Sequence, residues 1–209
     1  MGKGLVLRFW MPPLPLLRQA MNILSLDIDY AYSPTISAYD DYVVGSTITL
    51  EAQEKILKDK NMPEPTVNTA KLKELRQTLT GKILPSSHLV IAKHHHDILS
   101  YLPRNKEFSI FNIDHHHDIF YPGWHSLDVL DEGNWAHRLA DYNCQKYTWI
   151  RNKDSENLDA TVKIAFQYEE VYLEDVSLPN FDFVFCCSSP HWTGKAGQQV
   201  LLDLLKEIL

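Results

Sequence analysis

The sequence predicts an α/β protein built on a mostly parallel sheet covered on both faces. Three observations carry that expectation. Short apolar runs, such as LVIA (89–92) and the start of FDFVFCCSSP (181–190), have the length and composition of buried strands. Stretches with apolar residues at helical spacing alternate with them. Clusters of aspartate and histidine follow the strand-like runs, at the carboxyl ends where such sheets bind ligands.

The elements follow in order. NILSLDIDY (22–30) reads as a buried strand ending in acidic residues, and 30–46 as an aromatic loop rich in turn formers. TLEAQEKILKDKN (49–61) reads as a helix broken by NMPEP, and TVNTAKLKELRQTLT (66–80) as a second helix. The segment 86–102 holds LVIA and then a histidine triplet. FSIFNIDHHHDIF (108–120) repeats that plan. NWAHRLADYN (134–143) reads as a helix, and YTWIRN (147–152), VKIAFQY (162–168) and 181–190 as strands. The chain closes on an amphipathic helix, 197–209, with apolar positions at Val200, Leu201, Leu204, Leu205 and Ile208.

The 209 residues suit one domain, 1–209, with 1–20 as a possible extended arm. Hydrophobic residues make up 44% and charged residues 22%, enough for a real core. A net charge of −7 with no long Lys/Arg block argues against nucleic-acid or anionic-membrane partners. No stretch reaches the ~18 apolar residues of a membrane span. The start, MGKGLVLRFWMPPLPLL, is basic and apolar, but its prolines and the lack of a cleavage site favour a folded or docking segment over a signal peptide. Three cysteines, two of them adjacent, do not make a disulfide framework, so a reducing, cytoplasmic setting is expected.

Six of the ten histidines fall in two triplets, 94–96 and 115–117. Asp114, His116 and Asp118 have D-x-H-x-D spacing and project to one side if extended. Asp27 and Asp29, also two apart, repel each other and are costly to bury unless a cation joins them. One imidazole of the 94–96 triplet completes the set, and local spacing does not say which. Four carboxylates and two imidazoles exceed one tetrahedral zinc and suit two cations bridged by a shared carboxylate. The excess of oxygen ligands favours Mn²⁺, two per chain, with Fe²⁺ or Co²⁺ possible.

These motifs resemble those of the arginase/agmatinase (ureohydrolase) superfamily. DHHHDI (114–119) looks like its D-A-H-x-D motif, SLDID (25–29) like its S-x-D-x-D motif, and KHHHDIL (93–99) like a variant of its G-G-D-H-S motif. Matching on that variant makes His95 the expected ligand, with His96 second. EGNWAH (132–137) is similar to a segment that contacts substrate in arginases, with one extra residue before the histidine. The S-x-D-x-D motif comes first here rather than last, and the chain is shorter. The resemblance therefore implies a minimal, rearranged three-layer arginase-like fold, closest to atypical peptide arginases that convert arginine to ornithine within a ribosomally made peptide.

The expected ligands are then Asp27, Asp29, His95 or His96, Asp114, His116 and Asp118. Bound metals would activate a water for attack on a guanidinium carbon. His137, with Asp118, is expected in catalysis, His137 as the acid that protonates the leaving amine. Asn134, Glu132 and Trp192 are expected to contact substrate; Asn134 is equally placed to cap a helix, and Trp192 to pack as an ordinary indole. The expected partner is an arginine-containing peptide, and a homo-oligomer is admitted. Two other readings stay open: an amide or acetyl-lysine hydrolase of the same fold, and a metal-binding module without turnover.

Overall fold

The computed structural model describes residues 20–32, 49–121 and 127–209. Most of the segment 1–20 and most of the loop 30–46 lie outside the described residues.

Among the described residues six strands form one sheet: β1 (Met21–Asp27), β2 (Ile83–Ala92), β3 (Phe108–Ile113), β4 (Cys144–Arg151), β5 (Gln167–Tyr172) and β6 (Phe181–Cys187). Their order is β2-β6-β1-β3-β4-β5, and every neighbouring pair is parallel. The helices are α1 (Leu50–Asp59), α2 (Thr69–Leu79), the single turn α3 (Pro190–Thr193) and α4 (Gly197–Ile208).

Adjacent residues of the central strands point to opposite faces, and both faces are dry. On one side Leu24, Leu26, Ile113, Val184 and Cys186 pack against Leu75 and Leu79 of α2 and Leu201, Leu204, Leu205 and Ile208 of α4. On the other, Ile23, Ile110, Trp149, Phe183 and Phe185 pack against Ile98, Trp135 and Leu139. The second covering layer is made of 3-10 turns, His95–Ser100 and Trp135–Asp141. This is the three-layer α/β arrangement with a parallel sheet.

Two expected elements differ. The segment 134–143 forms a 3-10 turn rather than an α-helix. Residues 162–166 are not a strand; β5 begins at Gln167. The alternating Val162, Ile164 and Phe166 pack on the second core as a covering connection. The actual strand, QYEEVY, is polar because it is an edge, paired among the described residues with β4 alone. The other edge, β2, starts earlier than the apolar run LVIA, at Ile83, and tolerates Pro85 as an edge strand can.

Register brings the chemistry together. Ser25 pairs with Asn112 and Leu26 with Ile113, so Asp27 and Asp114 leave the sheet side by side. Asp27 pairs with Cys187, and Cys187 with Ala92, so the segments after β6 and β2 leave at the same edge. Gly197 lets α4 begin close under that edge, since a Cβ there would lie 2.9 Å from the Ser188 carbonyl and collide with the Thr193 side chain.

Candidate metal centre

β1 ends at Asp27, and the chain turns at once into the 3-10 turn Ile28–Ala31. The Asp29 N–H donates to Asp27 Oδ1 at 3.1 Å. That turn sends both carboxylates into the protein: Asp27 is 3% and Asp29 0% exposed, so neither is a solvated strand end. β3 ends at Ile113, and Asp114 follows, with Oδ1 accepting from the His116 N–H at 2.9 Å and Oδ2 from Asn112 Nδ2 at 3.2 Å. Asp118 adopts a left-handed backbone, φ 52°, a conformation that Asp tolerates better than most residues. Its Oδ2 accepts from the indole of Trp135 at 2.6 Å.

His95 stands at the centre of these groups. Its Nδ1 lies 2.9 Å from Asp118 Oδ2, 3.0 Å from Asp114 Oδ2 and 3.4 Å from Asp27 Oδ2. None of the three approaches has hydrogen-bond geometry. His116 Nδ1 lies 3.0 Å from Asp29 Oδ2 and 3.9 Å from Asp114 Oδ1. Two groups of ligand atoms result, Asp27–His95–Asp114 and Asp29–Asp114–His116, the atoms of each within 4.8 Å of one another. Asp114 belongs to both.

Burial without a cation is electrostatically expensive here. Burial, with Asp27 and Asp114 close by, pushes the Asp29 carboxyl up to about 8. Burial and Asp118 push Asp114 up to about 7, and burial also raises Asp118. Burial acts to lower the His95 pKa, but the surrounding carboxylates outweigh it and hold it well above the usual value. Oxygen and imidazole donors in this number suit a divalent cation, and each of the two groups can hold one. Four carboxylates would balance the charge of two such ions. No thiolate takes part: Cys144, Cys186 and Cys187 are free, and burial pushes the Cys186 thiol up to about 12.

Of the expected ligands, Asp27, Asp29, His95, Asp114 and His116 thus form the two groups, and Asp118 joins them through its contact with His95. His96 does not enter. Its ring stacks on His94 at 5.6 Å and its Nε2 lies 4.0 Å from Asp97, because the 3-10 turn that buries His95 carries the next, half-buried residue away from the ligand groups. His115 also points away, next to Asn152 at 3.4 Å, and burial holds its pKa down to about 3.

The remaining expected residues separate. Trp192 lies with its ring 4.8 Å from that of His116, at the centre. Glu132 pairs with His94 at 2.6 Å beside it. Asn134 is fully buried, with Oδ1 accepting from the Asp131 N–H at 3.0 Å and Nδ2 donating to the Val129 carbonyl at 2.7 Å. Its amide holds its own loop together and makes no side-chain cap bond to the following turn. His137 is half-buried on the Trp135–Asp141 turn and belongs to neither ligand group.

Sequence reasoning missed the residues that hold the ligands. Ser189, left-handed at φ 37°, donates a short hydrogen bond to Asp27 Oδ2. Ser25 Oγ lies 2.7 Å from His95 Nε2. Asn112 and Trp135 hold Asp114 and Asp118. Ser25 and Asn112 each precede an aspartate ligand by two residues in a strand, a same-face spacing visible in the sequence. Ser189 and Trp135 carry no such signal, because long-range turns bring them in.

The chain matches no family model, and no curated protein or solved structure is found to be similar to it. Among the described residues no helix is long and apolar enough to cross a membrane.

Proposed function

We propose that this chain is a two-metal hydrolase of the ureohydrolase kind, which converts an arginine within a peptide to ornithine with release of urea. One observation carries the proposal: Asp114 is shared by two ligand groups built from carboxylates and imidazoles. Mn²⁺ is the assigned ion, because oxygen donors outnumber nitrogen donors; Fe²⁺ and Co²⁺ fit the same donors. When bound, the ions supply an activated water and stabilise negative charge developing on the reacting group.

The chain's own residues do the rest. Asp27, Asp29, His95, Asp114, His116 and Asp118 would hold the ions at the carboxyl edge of the sheet. Trp192, against the His116 ring, offers an aromatic face to a planar cation. Glu132, mostly buried beside His94, supplies a carboxylate to pair with a guanidinium. The resemblance of DHHHDI and SLDID to ureohydrolase motifs supports the bond assigned.

The test is urea release by protein purified with Mn²⁺, from free arginine and from arginine-containing peptides, with Asp114→Ala as the control. Urea from peptides, lost in the variant, is the expected result. Bound metal with no urea from any arginine substrate overturns the reaction and leaves amide hydrolysis, or metal binding without turnover.

A further inference from the structure

The His95 ring is held in its plane by two aromatic neighbours. Phe185 stacks on it at 6.1 Å and 4°, and Trp135 lies at 4.9 Å, tilted by 43°. These contacts fix the plane but barely distinguish the ring from its flipped form, in which Nδ1 and Cδ2 exchange places, as do Nε2 and Cε1. The flipped ring would present a carbon to Asp27, Asp114 and Asp118.

What separates the two forms is the far edge of the ring, where Nε2 meets Ser25 Oγ at 2.7 Å, fully buried. Ser25 reaches that place because it sits two residues before Asp27 on β1, on the same face of the strand. With a proton on Nε2 donated to the hydroxyl, the lone pair of Nδ1 faces the three carboxylates. A lone pair among carboxylates is repelled unless a cation lies between them. Nδ1 is also the atom that makes no hydrogen bond despite three oxygens within 3.4 Å.

We propose that Ser25 is a positioning residue that selects the ring orientation and tautomer of His95, and so makes Nδ1 the metal-binding atom. The inference rests on the metal reading above. It goes beyond it in assigning to a neutral hydroxyl outside the ligand set the choice of ligating atom. Partners of this kind, which orient a metal-binding imidazole through its other nitrogen, commonly change metal affinity about 10–100-fold when removed.

Two measurements test it on the full chain. In the first, ¹⁵N-histidine-labelled wild type is loaded with Zn²⁺ as a diamagnetic probe, and long-range ¹H–¹⁵N spectra show which nitrogen of His95 carries the proton and which the metal. Proton on Nε2 and metal on Nδ1 is expected; metal on Nε2 overturns the proposal. If the wild type binds no metal, the metal reading fails by itself. The same spectrum of the metal-free protein, recorded at a pH high enough for the ring to be neutral, still decides the tautomer: a proton on Nε2 sustains Ser25's role, and a proton on Nδ1 overturns it.

In the second, Mn²⁺ affinity is measured for wild type, Ser25→Ala and Ser25→Thr by titration with detection of free Mn²⁺. A 10–100-fold loss in Ser25→Ala, largely restored in Ser25→Thr, is expected. Unchanged affinity in Ser25→Ala, or equal loss in both variants, overturns the proposal. Should Ser25→Ala not fold, Ser25→Cys, nearly isosteric but a weak hydrogen-bonding group, takes its place with the same criteria.

Discussion

The indole Nε1 of Trp135 donates a 2.6 Å hydrogen bond to Asp118 Oδ2, joining the GNWAH turn to the DHHHD segment 17 residues before it. A second bond runs in parallel, from the Ala136 N–H to the Asp118 carbonyl at 2.9 Å. Together they hold Asp118 in its left-handed conformation with its carboxylate on His95. Trp135→Phe keeps the aromatic volume in part and removes the donor. A hydrogen bond to a charged group contributes about 1.5–3 kcal/mol, so a destabilisation of that order is predicted in urea unfolding of the metal-free protein. No loss would mean that Asp118 does not depend on the indole.

The pH dependence of the metal-free protein follows from the buried carboxyls. Asp29 and Asp114 titrate near 8 and 7 in the folded chain, far above their unfolded values. Between those values the folded state binds protons that the unfolded state has lost, so stability falls as pH rises through the window. His95, also raised, has the same sign. His115, held down to about 3, has the opposite sign, but only below the usual histidine pKa of about 6.5. His94, raised by its hydrogen bond to Glu132, acts with the same sign, so the interval from about 6.5 to 8 reports the cluster together with that pair. The melting temperature of chelator-treated protein is predicted to fall across it, and Mn²⁺ to abolish most of the fall. A flat profile without metal would contradict the electrostatics described.

Burial on both faces of β1 predicts the cost of truncating either side. Ile23 and Leu24 are adjacent, fully buried, and belong to opposite cores. Ile23→Ala and Leu24→Ala should each cost about 2–5 kcal/mol, measured by denaturant unfolding. A sheet with one open face would leave one of them nearly neutral.

His137 belongs to neither ligand group. His137→Ala is predicted to bind Mn²⁺ with wild-type affinity and stoichiometry in equilibrium dialysis. Loss of metal would place its ring within the centre. His96→Ala, half-buried on the His95–Ser100 turn and outside both ligand groups, should behave in the same way, unlike His95→Ala.

Much of this arrangement was legible in the sequence, for identifiable reasons. β1, β3 and β6 are central and dry on both sides, so their runs are mostly apolar, and aspartates mark the ends of β1 and β3, as the two histidine triplets mark those of β2 and β3. The same-face spacing of Asp114 and His116 is a local property, and so is the short return from Asp27 to Asp29. What failed was set by tertiary context. β5 is polar because it is an edge, while the apolar alternation of 162–168 belongs mostly to a covering segment. Asn134 looked like a helix cap, but its side chain makes no cap bond and instead joins Val129 and Asp131 in the loop before it. The choice between His95 and His96 depended on a 3-10 turn whose direction periodicity does not carry. Ser189 and Trp135 reach the centre from 162 and 17 residues away from the ligands they hold.

The most direct test is metal content by elemental analysis after purification with Mn²⁺, comparing wild type, Asp29→Ala and Asp114→Ala, each verified as folded by circular dichroism. The shared position of Asp114 predicts about two ions per chain in the wild type, one when Asp29 is removed, and neither held tightly when Asp114 is removed. Wild-type protein without metal, or an Asp114→Ala variant that keeps both ions, would contradict a centre built on Asp114.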